Sequence, residues 1–319
     1  MIENFSNLYK SLTHKKMKKF NLKSKKLLTT ALFLTSGLTI LSHSNPVNAT
    51  DACPDPSTIT SPNDFGDGTS FISTTRGRCY GTPEEYGVTI YKMGLCTRDP
   101  APSSAGSAPD TSSCSFNFEK DDGVGEPASF ESGGEVDLSE EYSSRPDVGE
   151  YEFAYIEINN TFDVKASYGP IGDAARTTYF TNGTITEAGT VTGASATPTA
   201  SGYVTTEAPL TTFGFLDGGG SVCDATGEES VTGGTIRAYL LDSSDTLIAN
   251  DSSATECSGV KKLLGIMQLD TKVNITAATT SVKTTFKVEN NGTSVVYDDV
   301  ADGIRFDSGP FSVSFETSE

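Results

Sequence analysis

Apolar and polar residues alternate along most of the chain. In YGVTIYKMGLC (86–96), Val88 and Ile90 occupy even-numbered positions, while Tyr91 and Met93 occupy odd-numbered positions. A period of two places successive side chains on opposite faces of a β-strand. Because helical periodicity is nearly absent, the pattern predicts an all-β protein built from short strands.

The strongest alternating segment is GEYEFAYIEINNTFDVKASYG (149–169). Its apolar residues switch once from odd-numbered to even-numbered positions, between Tyr155 and Ile156, and we call this switch the parity change. One strand of this length would run about 60 Å at ~3.3 Å per residue, which is far beyond the usual length. The segment therefore predicts either a β-bulge or a hairpin turn at Asn159-Asn160, and in both cases the centre of the sheet. Its aromatic residues could line a binding face, but alternation with polar residues favours a core position.

Two Asn-Gly pairs, at Asn182-Gly183 and Asn291-Gly292, predict hairpins. Asn-Gly adopts the positive φ angles that tight hairpin turns require. A short helix over 258–270 is the one helical alternative, because its apolar spacing fits both periods. Further strands are predicted in TGGTIRAYLLD (232–242), DTLIAN (245–250) and KLLGIMQL (262–269).

Many short strands separated by turns predict an antiparallel β-sandwich, elongated and stapled by disulfides, over residues 86–319. Residues 50–85 are rich in turn-forming residues and predict an extended lead-in. The stretch ASATPTASGYVTTEAP (194–209) is a candidate boundary, which would divide the chain into two sandwiches instead of one.

Residues 1–49 have the pattern of a bacterial signal peptide. A block of lysines precedes the apolar run LLTTALFLTSGLTIL (27–41), and Val47-Asn48-Ala49 resembles a signal peptidase site. The alternative is an uncleaved membrane anchor, but the run of 15 residues falls short of the roughly 20 that span a bilayer. We therefore expect a secreted protein, extracellular or at the cell surface, with no membrane segment after cleavage.

Cleavage would leave a strongly acidic chain without histidine. Removing residues 1–49 takes away eight of the 23 Lys and Arg residues and one of the 42 Asp and Glu residues, which leaves 15 basic and 41 acidic residues and a net charge of −26. Both histidines, His14 and His43, lie in the removed part, and the chain has no Trp. These facts argue against Ser-His-Asp and Cys-His catalysis, against His-ligated zinc, and against nucleic acid as a partner.

Six cysteines follow the leader, and none forms a CxxC pair. An even number in an exported chain predicts three disulfides rather than a metal cluster. We favour the sequential pairing, with some free buried thiols as the alternative. The pairs are Cys53–Cys79, Cys96–Cys114 and Cys223–Cys257.

Acidic turns are the candidates for metal binding, because calcium needs only oxygen ligands. Asp298, Asp299 and Asp302 are the first choice for a calcium site, although their spacing does not match an EF-hand. Solvated acidic turns are the alternative explanation. No other cofactor is indicated.

Carboxylate pairs could in principle support glycoside hydrolysis without histidine. The candidates Glu84/Glu85 and Glu140/Glu141 are adjacent in sequence, and adjacent residues of a strand point to opposite faces. There is also no Trp to stack on a sugar ring. We therefore do not expect an enzyme.

Two segments, YGVTIYKMGLCTRDP and RPDVGEYEFAYIEINNTFDVKASYG, carry a family resemblance. With the leader, they resemble uncharacterised secreted β-sandwich proteins of marine bacteria, which implies a fold but no catalytic residues. A looser similarity, at the level of the fold, is to bacterial surface-filament subunits that assemble by strand donation.

The last residues, FSVSFETSE, alternate Phe311, Val313 and Phe315 with polar residues. This final strand either closes its own sandwich or is donated to a neighbouring copy as an assembly strand. The first functional hypothesis is a secreted, non-enzymatic structural protein, a cell-surface or filament subunit that self-assembles through edge strands. The alternative is a monomeric extracellular binding module for a polysaccharide, such as a surface glycan, or for another cell-surface ligand.

Overall fold

A computed structural model describes thirteen segments of the chain and nothing before residue 52. The described residues are 52–60, 64, 76–120, 123–131, 144–171, 178–181, 185–187, 190–193, 204–214, 222–231, 233–298, 303–309 and 311–319. Residues 1–49 lie outside them, so the signal peptide stays a prediction. Within the described segments no helix is long and apolar enough to cross a membrane.

The described residues form eighteen strands and short 3-10 turns, and they contain no α-helix. The first nine strands are β1 (Arg76–Gly81), β2 (Glu85–Cys96), β3 (Cys114–Glu119), β4 (Glu126–Glu131), β5 (Gly149–Asn159), β6 (Thr161–Lys165), β7 (Ser167–Tyr168), β8 (Tyr179–Phe180) and β9 (Ile185–Glu187). The other nine are β10 (Thr190–Gly193), β11 (Thr206–Pro209), β12 (Thr226–Val231), β13 (Gly234–Leu241), β14 (Lys262–Ile275), β15 (Ser281–Lys287), β16 (Thr293–Asp298), β17 (Gly303–Ser308) and β18 (Ser312–Ser318). The all-β class predicted from the alternation is confirmed.

The largest sheet has nine antiparallel strands, in the order β11-β6-β2-β5-β14-β13-β12, with β3 and β4 also paired to β2. β5 lies between β2 and β14, so the segment 149–169 does supply the centre of the sheet.

The parity change in this segment does not mark a hairpin. β5 and β6 both pair with β2 in the antiparallel sense, so the hairpin alternative at Asn159-Asn160 is wrong. The register of β5 against β2 shifts between Ile90 and Lys92, which is an irregularity of the bulge type. Residues 153–158 are all buried, so apolar side chains of both parities are accommodated in this central strand.

Strand β14 settles the helical alternative. Its residues Lys262–Ile275 pair with β5 on one side and β13 on the other, so the helix over 258–270 is wrong. The strand expected in 245–250 is also absent, since these residues form a turn with one isolated bridge between Leu241 and Leu247.

A second sheet has five strands, in the order β1-β16-β17-β10-β9. β1 lies within residues 50–85, where the sequence indicated no strand, and it pairs with β16 over six residue positions. Strands on both sides of residues 194–209 share the nine-stranded sheet, because β5 pairs with β14.

The third sheet, which we call the C-terminal ribbon, consists of β15 and β18 alone. Their antiparallel register runs from Ser281 opposite Ser318 to Lys287 opposite Ser312. The hairpin expected at Asn291-Gly292 is therefore wrong. A turn does occur there, but the chain leaves the ribbon after β15 and enters the five-stranded sheet at β16. The other predicted turn, Asn182-Gly183, lies outside the described residues.

The buried apolar residues of the described segments form two clusters, and the larger one joins these layers, as expected for a β-sandwich. Tyr86 of β2 is almost fully buried, and its hydroxyl lies 2.7 Å from the hydroxyl of Ser308 in β17. Phe130 of β4 packs on Phe286 of β15, with ring centroids 5.5 Å apart. The nine-stranded sheet thus contacts the five-stranded sheet and the C-terminal ribbon through side chains; the remaining sheet is the two-stranded pair β7-β8.

Three disulfides link Cys53 to Cys79, Cys96 to Cys114, and Cys223 to Cys257, which is the sequential order favoured from the sequence. None of the described cysteines is free. The first tethers the segment before β1, the second closes the loop between β2 and β3, and the third links the segment before β12 to the loop between β13 and β14. Such bridges are typical of proteins that fold in an oxidising compartment.

Candidate functional site

The candidate calcium site falls largely outside the described residues. Asp299 and Asp302 are not among them, and of Asp298 only its backbone position is described, at the end of β16 opposite Arg76 and Gly303. Where the structure does describe the chain, no group of three or more His, Cys, Asp or Glu side chains is placed to hold a metal. The calcium site stays a prediction.

The described carboxylate pair, Glu84 and Glu85, takes part in surface hydrogen bonds. Glu85 accepts from Lys165 Nζ at 2.7 Å and from the Thr205 hydroxyl at 2.9 Å, and Glu84 accepts from the Ser167 hydroxyl at 3.1 Å. The bond from Lys165 lowers the pKa of Glu85, which is opposite to what a general acid needs. Glu140 and Glu141 lie outside the described residues.

The aromatic stripe of β5 belongs to the core, as the alternation favoured. Tyr151, Phe153 and Tyr155 are all buried. The ring of Tyr155 packs edge-on against Phe116 of β3, with centroids 5.5 Å apart. None of the three is presented as a ligand platform.

A buried charged cluster, which sequence reasoning missed, lies between β5 and β14. Lys262 Nζ is 2.6 Å from Glu157 Oε1 and 2.6 Å from Asp245 Oδ1. Glu157 is 2% exposed, and its second oxygen accepts from the Tyr155 hydroxyl at 3.0 Å. Lys262 also lies 4.9 Å above the Tyr91 ring. Every charge in the cluster has a partner, which fits a structural role.

The pKa of Lys262 is raised by this arrangement. Burial works against the charged form, but the hydrogen bonds to Asp245 and Glu157 outweigh it. An amine held this firmly as a cation is a poor nucleophile and a poor base at neutral pH. The cluster therefore does not have the character of a catalytic centre.

The final strand lies on its own chain in this structure. Phe311 and Val313 are buried, and Phe315 is partly buried against the core. Phe311 packs on Phe286 of β15 and Tyr86 of β2, with ring centroids 5.9 and 6.4 Å away. The three residues assigned to an assembly strand thus anchor β18 to the molecule that carries it.

Residues of both larger sheets enclose a cavity of about 110 Å³, which we call the inter-sheet cavity. Ile156, Ile158 and Leu263 line it from the nine-stranded sheet, and Arg78 and Ser294 from the five-stranded sheet. Phe311, just before β18, also contributes to the wall. Most of the lining is apolar.

Together these features define an antiparallel, disulfide-linked β-sandwich protein. No family model, no curated protein and no solved structure matches the chain. Its function therefore has to be argued from its own geometry.

Proposed function

We propose that the protein is a secreted, non-enzymatic structural protein of the bacterial cell surface, which assembles with copies of itself by exchanging β18. The observation that carries this proposal is the position of β18. β15 is its backbone partner, and only residues 309–311 connect it to β17. A short connection of this kind favours exchange of the strand between identical chains.

Exchange would retain the contacts that hold β18. In a neighbouring copy the strand would meet the same β15 register and the same aromatic pocket formed by Tyr86 and Phe286. Pairing of β18 with its own β15 and pairing with the β15 of a neighbouring copy therefore have similar contact energies. Their free energies differ mainly in the entropy of association and in the conformation of residues 309–311. Association at high local concentration then favours chains linked head to tail.

Export is supported by two features. The three disulfides are typical of an oxidising compartment, and the leader has the composition of a signal peptide. The excess of acidic residues would keep unassembled chains apart until a specific edge pairs.

Cysteine cross-linking tests the exchange directly. Lys283 and Glu316 are both exposed and lie opposite each other in the ribbon. If β18 is exchanged, oxidised Lys283→Cys/Glu316→Cys protein will run as a ladder of covalent oligomers on a non-reducing gel. The control is Lys287→Cys/Glu316→Cys, in which two exposed positions lie four residues out of register, and it should give no ladder.

Two outcomes would contradict the proposal. One is a cross-linked product that is monomeric at every protein concentration, since β18 would then pair only within its own chain. The other is a wild-type protein that stays monomeric by size exclusion and shows no filaments by negative-stain microscopy. If exchange is reversible, diluting the Lys283→Cys/Glu316→Cys protein before oxidation should abolish the ladder.

A second candidate function, a monomeric extracellular binding module, is favoured by the inter-sheet cavity. An apolar cavity of this size fits a small apolar ligand better than a polysaccharide, which needs an open polar groove with aromatic platforms. A monomer in the cross-linking experiment would favour this second function.

A further inference from the structure

Three small residues lie side by side in the wall of the inter-sheet cavity. Gly227 of β12 is opposite Ala238 of β13, and Ala238 is opposite Gly265 of β14. All three line the cavity. A Cβ on Gly265 would lie only 2.9 Å from Ile156 Cγ2, and a Cβ on Gly227 only 3.0 Å from Phe213 Cδ1, so a neighbouring side chain packs directly on each glycine. The three residues form part of the wall of a hollow between the nine-stranded and five-stranded sheets.

The size and lining of the hollow suit a small apolar molecule. Its volume is about 110 Å³. Apolar cavities of roughly 150 Å³ stay dry and accept a molecule the size of benzene. A single six-membered ring or a short alkyl chain is therefore the largest group that this cavity would hold without movement of its walls.

One polar group in the wall has no partner. Ser294 is 3% exposed, it lines the cavity, and its hydroxyl makes no hydrogen bond with any described residue. A buried hydroxyl without a partner is unfavourable, because it has lost its hydrogen bonds to water. A ligand atom that accepts from or donates to this hydroxyl would remove the cost.

The charged residues of the wall oppose each other. Arg78 is buried in β1, and Glu229 of β12 lies near enough for Arg78 to lower its pKa, although burial raises that pKa by more. Glu228 lines the cavity as well, so the wall carries two carboxylates and one guanidinium on an otherwise mostly apolar lining. A neutral ligand fits this environment better than a carboxylate or an amine.

We propose that the inter-sheet cavity binds a small, neutral, mainly apolar molecule with one hydrogen-bonding group, which pairs with the hydroxyl of Ser294. The ring or alkyl part of the ligand lies against Ala238, Ile156 and Ile158. The site shares one lining residue, Phe311, with the segment that leads into β18.

Phenol and benzene are suitable probes, because they differ only in the hydroxyl group. In a titration of mature protein followed by NMR chemical shifts, we expect both to bind at the cavity, with phenol binding more tightly. Ser294→Ala should weaken phenol binding about tenfold, the value of one neutral hydrogen bond, and leave benzene binding within about twofold. Ser281→Ala, at an exposed position of β15, is the control and should change neither affinity.

Filling the cavity gives a second, independent measurement. Ala238→Leu places a larger apolar side chain in the hollow and should abolish the binding of both probes while the protein remains folded by circular dichroism. Absence of binding of both probes to the wild type at ~10 mM, a concentration at which even very weak sites fill, would refute the proposal. Binding that survives Ala238→Leu would also refute it. Equal affinities of phenol for wild type and Ser294→Ala would remove the role given to Ser294.

Discussion

Replacing Lys262 with Ala is expected to lower the free energy of unfolding by about 3–5 kcal/mol, the usual cost of removing one partner of a buried ion pair. Lys262 lies 2.6 Å from Glu157, which is 2% exposed. Without the ammonium group, the Glu157 carboxylate would remain in the core with no opposite charge beside it. Urea titration of wild type and variant would measure the loss.

Lys272 provides a matched control on the same strand. It also lies between two carboxylates, at 2.6 Å from Glu150 and 2.8 Å from Glu152. These side chains are about half exposed, so solvent and salt screen the interaction. Lys272→Ala should change stability little. Equal losses for the two variants would show that burial of the Lys262 cluster is not what makes it important.

Stability should also fall at alkaline pH because of Lys262. Its pKa in the folded protein lies above the ordinary value of 10.5, so its contribution is complete below pH 10.5 and is lost as the pH rises through the folded-state pKa. Buried tyrosines, whose pKa values are raised by desolvation, add a loss in the same direction. Lys262→Met isolates the lysine, since the variant should lose less stability than wild type between neutral pH and pH 11. Parallel pH curves for the two proteins would contradict this assignment.

Local alternation was sufficient to predict several central strands. β2, β5, β13 and β14 all follow from a period of two within a single segment. The parity change within 149–169 did not locate a bulge in β5, since both faces of this strand are buried there and the extra residue in its pairing, Tyr91, lies on β2. The disulfide order followed from sequence proximity, because each bridge closes a loop of modest length.

Strand pairing could not be predicted in the same way. Asn291-Gly292 has the composition of a hairpin turn, yet β15 and β16 join different sheets. β1 has little apolar character, and it becomes a strand through pairing with β16, more than 200 residues later. The partner of a strand is set by tertiary packing, which a local pattern does not contain.

The buried cluster and the inter-sheet cavity were missed for a related reason. Glu157 occupies a position in an alternating strand that usually faces solvent, and its partner Lys262 is 105 residues away. Gly227, Ala238 and Gly265 come together only in the register of three strands. A small residue or a charge in one strand has no distinctive meaning until its neighbours are known.

Replacing Phe286 with Ala should lower the free energy of unfolding by about 3–5 kcal/mol, as for other buried Phe→Ala changes. Phe286 is 2% exposed, and its ring lies 5.5 Å from that of Phe130 and 5.9 Å from that of Phe311. Phe286 therefore helps to hold the C-terminal ribbon on the nine-stranded sheet, together with Thr284, whose hydroxyl accepts from Asn117 of β3 at 3.1 Å. Lys287→Ala, at the next and exposed position, is the control and should have little effect.

Phe286→Ala should destabilise the C-terminal ribbon more than the rest of the molecule. In the part of the chain that the structure describes, the contact between Phe286 and Phe130 is the aromatic link from the ribbon to β4. Hydrogen exchange of the β18 amides should accelerate in Phe286→Ala more than that of the β5 amides. Since an exchanged β18 would use the β15 of a neighbouring copy, the same variant should also reduce the covalent ladder of Lys283→Cys/Glu316→Cys. If β18 protection and the ladder are both unchanged while global stability falls, Phe286 supports the core alone and the ribbon is held by its backbone pairing.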